Sequence, residues 1–119
     1  IAVFGGGKNI SWLSAKWLEQ KRVGYWGDID SEGLCILADA RRRLPSIDAL
    51  MMNESTLLSY QNRMVDEPLS VWFEPTELKV DERQLFHQLR AGKFGKTRLE
   101  QERIFPEHVV EALSVWVSR

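Results

Sequence analysis

Short apolar runs alternate with stretches of helical period over the first half of the chain, and the alternation predicts a β-α-β-α-β order. Ile1-Ala2-Val3-Phe4 reads as a buried strand closed by Gly5-Gly6-Gly7. Asn9 or Ser11 can cap a helix that sets Ile10, Leu13, Trp17 and Leu18 on one face. Lys21, Arg22 and Gly24 end it, the basic residues suiting the negative end of the dipole. Tyr25-Trp26 reads as the next strand. A helix then runs from about Ser31 to Leu44 through Leu34, Leu37 and Ala38, until Pro45 stops it. Ile47-Asp48-Ala49-Leu50-Met51-Met52 reads as a third short strand, giving a parallel sheet with right-handed crossovers.

The second half is patterned differently. Residues 60–76 are polar, with Pro68, Pro75 and an apolar island Leu69-Ser70-Val71-Trp72-Phe73. They read as an irregular connection anchored by aromatics. A helix starting at Thr76 or Asp81 carries Leu78, Leu85, Phe86 and Leu89, and Gly92 ends it. Arg98-Leu99-Glu100-Gln101-Glu102-Arg103 reads as a charged helical turn. Pro106 opens a last helix whose stripe of Val109, Val110, Leu113, Trp116 and Val117 predicts core packing. Residues 1–119 therefore read as one domain, with 1–60 the β-α-β-α-β half and 76–119 the C-terminal helices.

Composition narrows the function classes. A chain of 119 residues can bury one core. It starts on Ile1, already inside an apolar run, which reads as a piece of a longer protein cut near an element boundary. No apolar run is long enough to span a bilayer and none resembles a signal peptide. The single Cys35 excludes an intrachain disulfide and a cysteine-based zinc site, and fits a reducing cytoplasm. A net charge of −1 gives no global reason to bind nucleic acid, so any such contact must be local. Five tryptophans either fill a core or cover a surface that meets another domain.

The candidate chemistry sits at Gly27-Asp28-Ile29-Asp30-Ser31-Glu32-Gly33. In extended backbone, residues i and i+2 point to one side. Asp28 and Asp30 can thus converge beyond the carboxyl end of a strand, where open α/β sheets place ligands. Two ionised carboxylates that close need a raised pKa or a hard cation between them. The competing reading is a strand-end turn whose aspartates cap the next helix. The triglycine does not make a phosphate loop, because Ala2 and Asn9 stand where a Walker A sequence needs glycine and a hydroxyl. Lys8 can still meet a phosphate near a helix start. Arg41-Arg42-Arg43 is either a solvated helix end or a contact to a DNA backbone. Lys93, Lys96 and Arg98 around Gly95 form the other basic cluster. Asn53 or Glu54 can line the same cleft as Asp30.

These residues resemble the Asp-x-Asp-x-x-Gly motif of Toprim domains. Within that group, the chain is similar to the branch shared by type IIB topoisomerase A subunits and the JetD nuclease subunits of Wadjet plasmid-defence systems. The JetD resemblance is closer. It rests on Val3-Phe4-Gly5-Gly6-Gly7-Lys8, Tyr25-Trp26-Gly27-Asp28-Ile29-Asp30, Leu50-Met51-Met52 with Thr56-Leu57-Leu58, and Arg98 to Ile104. The resemblance implies a Toprim-like (Rossmann-like) α/β fold, a parallel sheet flanked by helices and lacking its first strand and helix here. It implies a Mg²⁺- or Mn²⁺-dependent DNA endonuclease with Asp28 and Asp30 as metal carboxylates and catalytic residues. Glu100 or Glu102 can add an acid, and Lys8, Arg41, Lys93, Lys96 and Arg98 can contact DNA. The partners it implies are DNA and SMC-type complex subunits, with a homodimer as an option and no membrane. A Toprim site also expects a glutamate on a strand preceding Ile1, so this fragment alone is expected to be inactive. Asn53 stands where an aspartate is expected.

Two other readings stay open. In one, the fold is a non-catalytic docking module for protein or DNA and the aspartates are structural caps. In the other, a phosphatase-like fold uses Asp28 as nucleophile and Asp30 as acid. Ser31 and Glu32 disfavour it, since such enzymes want Thr or Val soon after the second aspartate.

Overall fold

A computed structural model describes residues 2–5 and 9–119, with the backbone alone for 2–4. Three short parallel strands form its sheet in the order β1 (Ala2–Phe4), β2 (Val23–Tyr25) and β3 (Asp48–Ala49). Ala2 is in register with Val23 and Phe4 with Tyr25, and Gly24 with Asp48. The central β2 is buried throughout, as a strand covered on both faces must be. The predicted third strand shrinks to two residues and one further ladder bond, Leu50 N–H to Tyr25 O at 2.8 Å. Met51 then takes φ 60°, a left-handed conformation that turns the chain out of the sheet.

The predicted first helix is not an α-helix. It is two 3₁₀ turns, Ser11–Ser14 and Lys16–Gln20, parted by Ala15 in extended conformation. The break lets Leu13 and Leu18 both reach the core at 1% exposure, while Trp17 is left 67% exposed. A continuous helix would have kept Trp17 on the same face as Leu13.

Helix α1 (Ser31–Arg43) follows β2 as predicted, and it packs against α3 (Val80–Arg90). Leu34, Leu37, Leu85, Phe86 and Leu89 meet there in the main core. Each fully buried leucine of this kind contributes about 1.5–3 kcal/mol. Gly92, at φ 76°, closes α3 in the left-handed position that favours glycine. Between these helices lie α2 (Glu54–Ser59), capped by Asn53, and the irregular segment 60–79.

Two sequence expectations about packing fail. The arginine run does not form a basic surface patch. Arg41 is 6% exposed and makes a two-pronged ion pair with Glu82, including Nη2 to Oε2 at 2.8 Å. Arg42 pairs with Asp39 and Glu77. The last helix, α4 (Pro106–Val117), buries only Trp116, and Val110 and Val117 stay 64% and 49% exposed. Trp116 docks α4 onto the sheet by packing with Leu50 and Met51 and donating Nε1–H to Asp48. Arg22 stacks on the Trp116 ring and donates to the carbonyls of Trp116, Val117 and Arg119, closing the helix end.

Candidate functional site

The segment from Gly27 to Gly33 leaves β2 and turns into α1, as its pattern predicts. Gly33 is required there by close approach, because a Cβ would stand 2.0 Å from the Asp28 carbonyl oxygen. Gly5, at the neighbouring strand end, is equally constrained, its Cβ position lying 2.1 Å from Trp26 O. These contacts draw the turn tightly over the ends of β1 and β2. Asp28, Asp30, Glu32, Arg98 and Gln101 line the resulting cleft of about 190 Å³.

The two aspartates are held by different partners. Asp30 is 2% exposed and caps α1, with Oδ1 accepting Gly33 N–H at 2.6 Å. Its Oδ2 accepts Arg98 Nε–H at 2.7 Å. Asp28 is half-buried, and its Oδ1 accepts the backbone N–H of Gln101 at 2.8 Å. Residues 98–101 thus form a strap across the acidic loop. Ile29 and Leu99 fasten it by exchanging backbone hydrogen bonds of 2.9 and 3.0 Å. The predicted charged helical turn is therefore extended at Arg98 and Leu99, and only Gln101–Arg103 coils, as a 3₁₀ turn.

Glu67 does not line the cleft but supports it from behind, a role the sequence pattern does not single out. It is 8% exposed, accepts Ser31 Oγ–H at 2.7 Å and Glu32 N–H at 3.0 Å, and so ties the irregular segment to the start of α1. Val71 N–H adds a third tie, to Ser31 Oγ at 2.8 Å. The anchoring expected from aromatics is polar instead. Leu69, Trp72 and Phe73 point outward at 84%, 84% and 75% exposure.

The electrostatics follow from burial and these bonds. Burial pushes the Asp30 carboxyl above its ordinary value, against the pull of Gly33 N–H and Arg98. Burial also works against the Arg98 charge. The Asp30 hydrogen bond and the charges of Asp30, Asp28 and Glu67 more than offset it, so its pKa lies above the ordinary value. The Tyr25 hydroxyl is pushed up strongly by burial and then by Asp30, Asp28 and Glu32. Cys35 is likewise raised, to about 11, chiefly by burial, and is a thiol at neutral pH.

The other predicted site residues lie elsewhere. Lys93 and Lys96 are exposed, paired with Glu54 at 3.4 Å and Asp66 at 3.5 Å, and do not line the cleft. Glu100 and Glu102 do not line it either, and Glu100 lies 3.9 Å from Arg103. Asn53 lines a separate cleft of about 610 Å³ with Asp48, His108 and Glu111. Arg41 is buried in the core against Glu82 and does not line the cleft. Lys8 lies outside the described residues.

A hard cation fits the donor chemistry of the small cleft, which offers carboxylate oxygens and no sulfur or imidazole. Among the described residues, no three acidic, His or Cys side chains converge to hold a metal. Mg²⁺ does not need three, since it keeps several waters and takes one or two carboxylates plus phosphate.

Comparison with known proteins gives the lineage. Residues 1–113 match the family described as Wadjet protein JetD, C-terminal. The chain belongs to the JetD C-terminal family. That match takes in every strand, the acidic loop and the strap, so the whole cleft lies within JetD-type sequence. No curated protein matches the chain. Among the described residues, no helix is long and apolar enough to cross a membrane.

Proposed function

We propose that this chain is the Toprim-like, Mg²⁺-dependent DNA-cleaving domain of a JetD-type plasmid-defence protein. The observation that carries the reading is that Asp28 and Asp30, leaving the central strand of a parallel sheet, line one cleft with Arg98. Membership of the JetD family supports it.

In this reading Asp28 is the more available cation ligand, Asp30 shapes the loop, and a glutamate from outside residues 1–119 adds the carboxylate that the resemblance implies. The bound cation would neutralise charge on the scissile phosphate and lower the pKa of an attacking water. Arg98 spends only Nε–H on Asp30, which leaves N–H donors for a phosphate oxygen. Water is the nucleophile. Tyr25 is buried with its hydroxyl pKa raised, and Tyr60 is buried with its hydroxyl against His108 Nδ1 at 3.0 Å. Lys93 and Lys96 bind DNA backbone from the neighbouring loop. DNA is presented by SMC-type subunits of the same defence system.

The docking-module reading keeps one observation in its favour, the outward-facing Leu69, Trp72 and Phe73. The test is DNA cleavage with Mg²⁺ or Mn²⁺ by the complete gene product and its Asp28→Asn variant. Cleavage that falls to background in the variant, with folding intact, is the expected result. A wild-type protein that binds its partner subunits but never cuts DNA would leave the docking module.

A further inference from the structure

Spacing makes Asp28 and Asp30 look equivalent, but the strap makes them unlike. Asp30 has both oxygens engaged, one by Gly33 N–H and one by Arg98 Nε–H, and is 2% exposed. Asp28 is half-buried and engages one oxygen, with a neutral backbone N–H. Arg98 itself is held by the backbone pairing of its neighbours. Leu99 is bonded to Ile29, and Arg98 N–H and C=O are both bonded to Val65. Its backbone is therefore fixed beside the acidic loop, which places the guanidinium against Asp30 at 2.7 Å.

We propose that Arg98 is a built-in counter-ion for Asp30, so that the cleft takes a single divalent cation through Asp28, with Arg98 setting its affinity. The inference rests on the cleavage reading above, since it takes the cleft to bind a cation. A fixed positive charge within a few ångströms of a cation site repels the cation, and a carboxylate already matched by a guanidinium has little charge left to offer it. Arg98 is on this account a positioning and affinity-setting residue, and Asp28 is the ligand that the acidic loop supplies.

The experiment measures Mn²⁺ binding to the complete gene product by the electron paramagnetic resonance of free Mn²⁺. Arg98→Gln leaves the Asp30 charge unmatched and is expected to tighten Mn²⁺ binding about tenfold or more, whereas Arg98→Lys keeps wild-type affinity. The double variant Arg98→Gln, Asp30→Asn removes both charges and guards against misfolding of the single variant. It is expected to keep wild-type affinity within about threefold, because the pair contributes no net charge. Unchanged affinity in Arg98→Gln, or a loss of more than about tenfold in the double variant, would overturn the counter-ion role while leaving the cleavage reading standing. No Mn²⁺ binding by any of the proteins would overturn both.

Discussion

Two arginine pairs with a buried carboxylate hold helix α1, one towards each end, and they are built differently. Arg41 and Glu82 are each 6% exposed at the side chain, joined by two hydrogen bonds. Glu82 also accepts the N–H of Lys79 and Arg41 donates to the carbonyls of Ile47 and Glu77, so the pair ties α1 to α3 and to the turn before β3. Burial opposes ionisation of Glu82, but Arg41 and the Lys79 N–H hold it below the ordinary carboxylate value. Arg98 and Asp30 share a single bond, Arg98 is 20% exposed, and the Asp30 carboxyl sits above its ordinary value. One pair is satisfied on all sides. The other stands poised at the wall of a cleft, with burial working against the charge of its carboxylate.

The largest expected effect comes from breaking the satisfied pair. Arg41→Ala leaves Glu82 charged and buried, at a cost of about 3–5 kcal/mol. Urea titration should show the midpoint falling with an unchanged slope. Asp30→Ala is expected to cost less, about 1–2 kcal/mol, because it removes a helix cap while the partly exposed Arg98 can turn to water. Asp30→Asn keeps an oxygen for Gly33 N–H and should cost less still. If Asp30→Ala proved as damaging as Arg41→Ala, the distinction between a structural and a poised pair would be gone.

That distinction was only half legible in the sequence. Helix α1 was readable because its apolar period, its cap and Pro45 all agree. The i, i+2 spacing of Asp28 and Asp30 placed both in one cleft for a local reason. Arg41 escapes the pattern because three consecutive arginines look like one feature, while steps of about 100° around a helix put one of them in the core. Glu67 and Gln101 were out of reach for another reason. They meet the acidic loop across long stretches of chain, and Gln101 does so through its backbone N–H, which no side-chain motif encodes. The break at Ala15 was hidden because a split pair of 3₁₀ turns buries nearly the same leucines as a helix would.

Acid titration separates the two pairs by sign. Glu82 has a folded pKa below 4.5, so its contribution is present above that value and is lost as pH falls through the folded pKa. Asp30 has a folded pKa above 3.8, so the folded chain holds its proton longer than the unfolded chain does. Its contribution is fully present below 3.8 and is lost as pH rises through the folded pKa. Melting temperature followed from neutral to acid pH should therefore fall less steeply in Glu82→Gln than in the wild type. It should fall more steeply in Asp30→Asn. Parallel curves for all three proteins would mean that the two carboxylates do not differ.

The smallest effects belong to the exposed pairs, Lys93 with Glu54 and Lys96 with Asp66, whose side chains are roughly half exposed. Surface ion pairs of this kind contribute about 0–1 kcal/mol, so Lys93→Ala and Lys96→Ala should leave the melting temperature almost where it was. Their proposed work is on DNA, where each lost phosphate contact should lower the slope of log affinity against log salt by about 1. The complete gene product carrying both substitutions should thus bind DNA more weakly at low salt, with a slope reduced by about 2. Arg98→Gln offers the matching comparison from inside the cleft. If the lysines meet phosphate and Arg98 mainly neutralises Asp30, the double lysine variant changes the salt slope more than Arg98→Gln does, although Arg98 lies nearer the carboxylates. A larger change from Arg98→Gln would make its contact with phosphate outweigh its contact with Asp30.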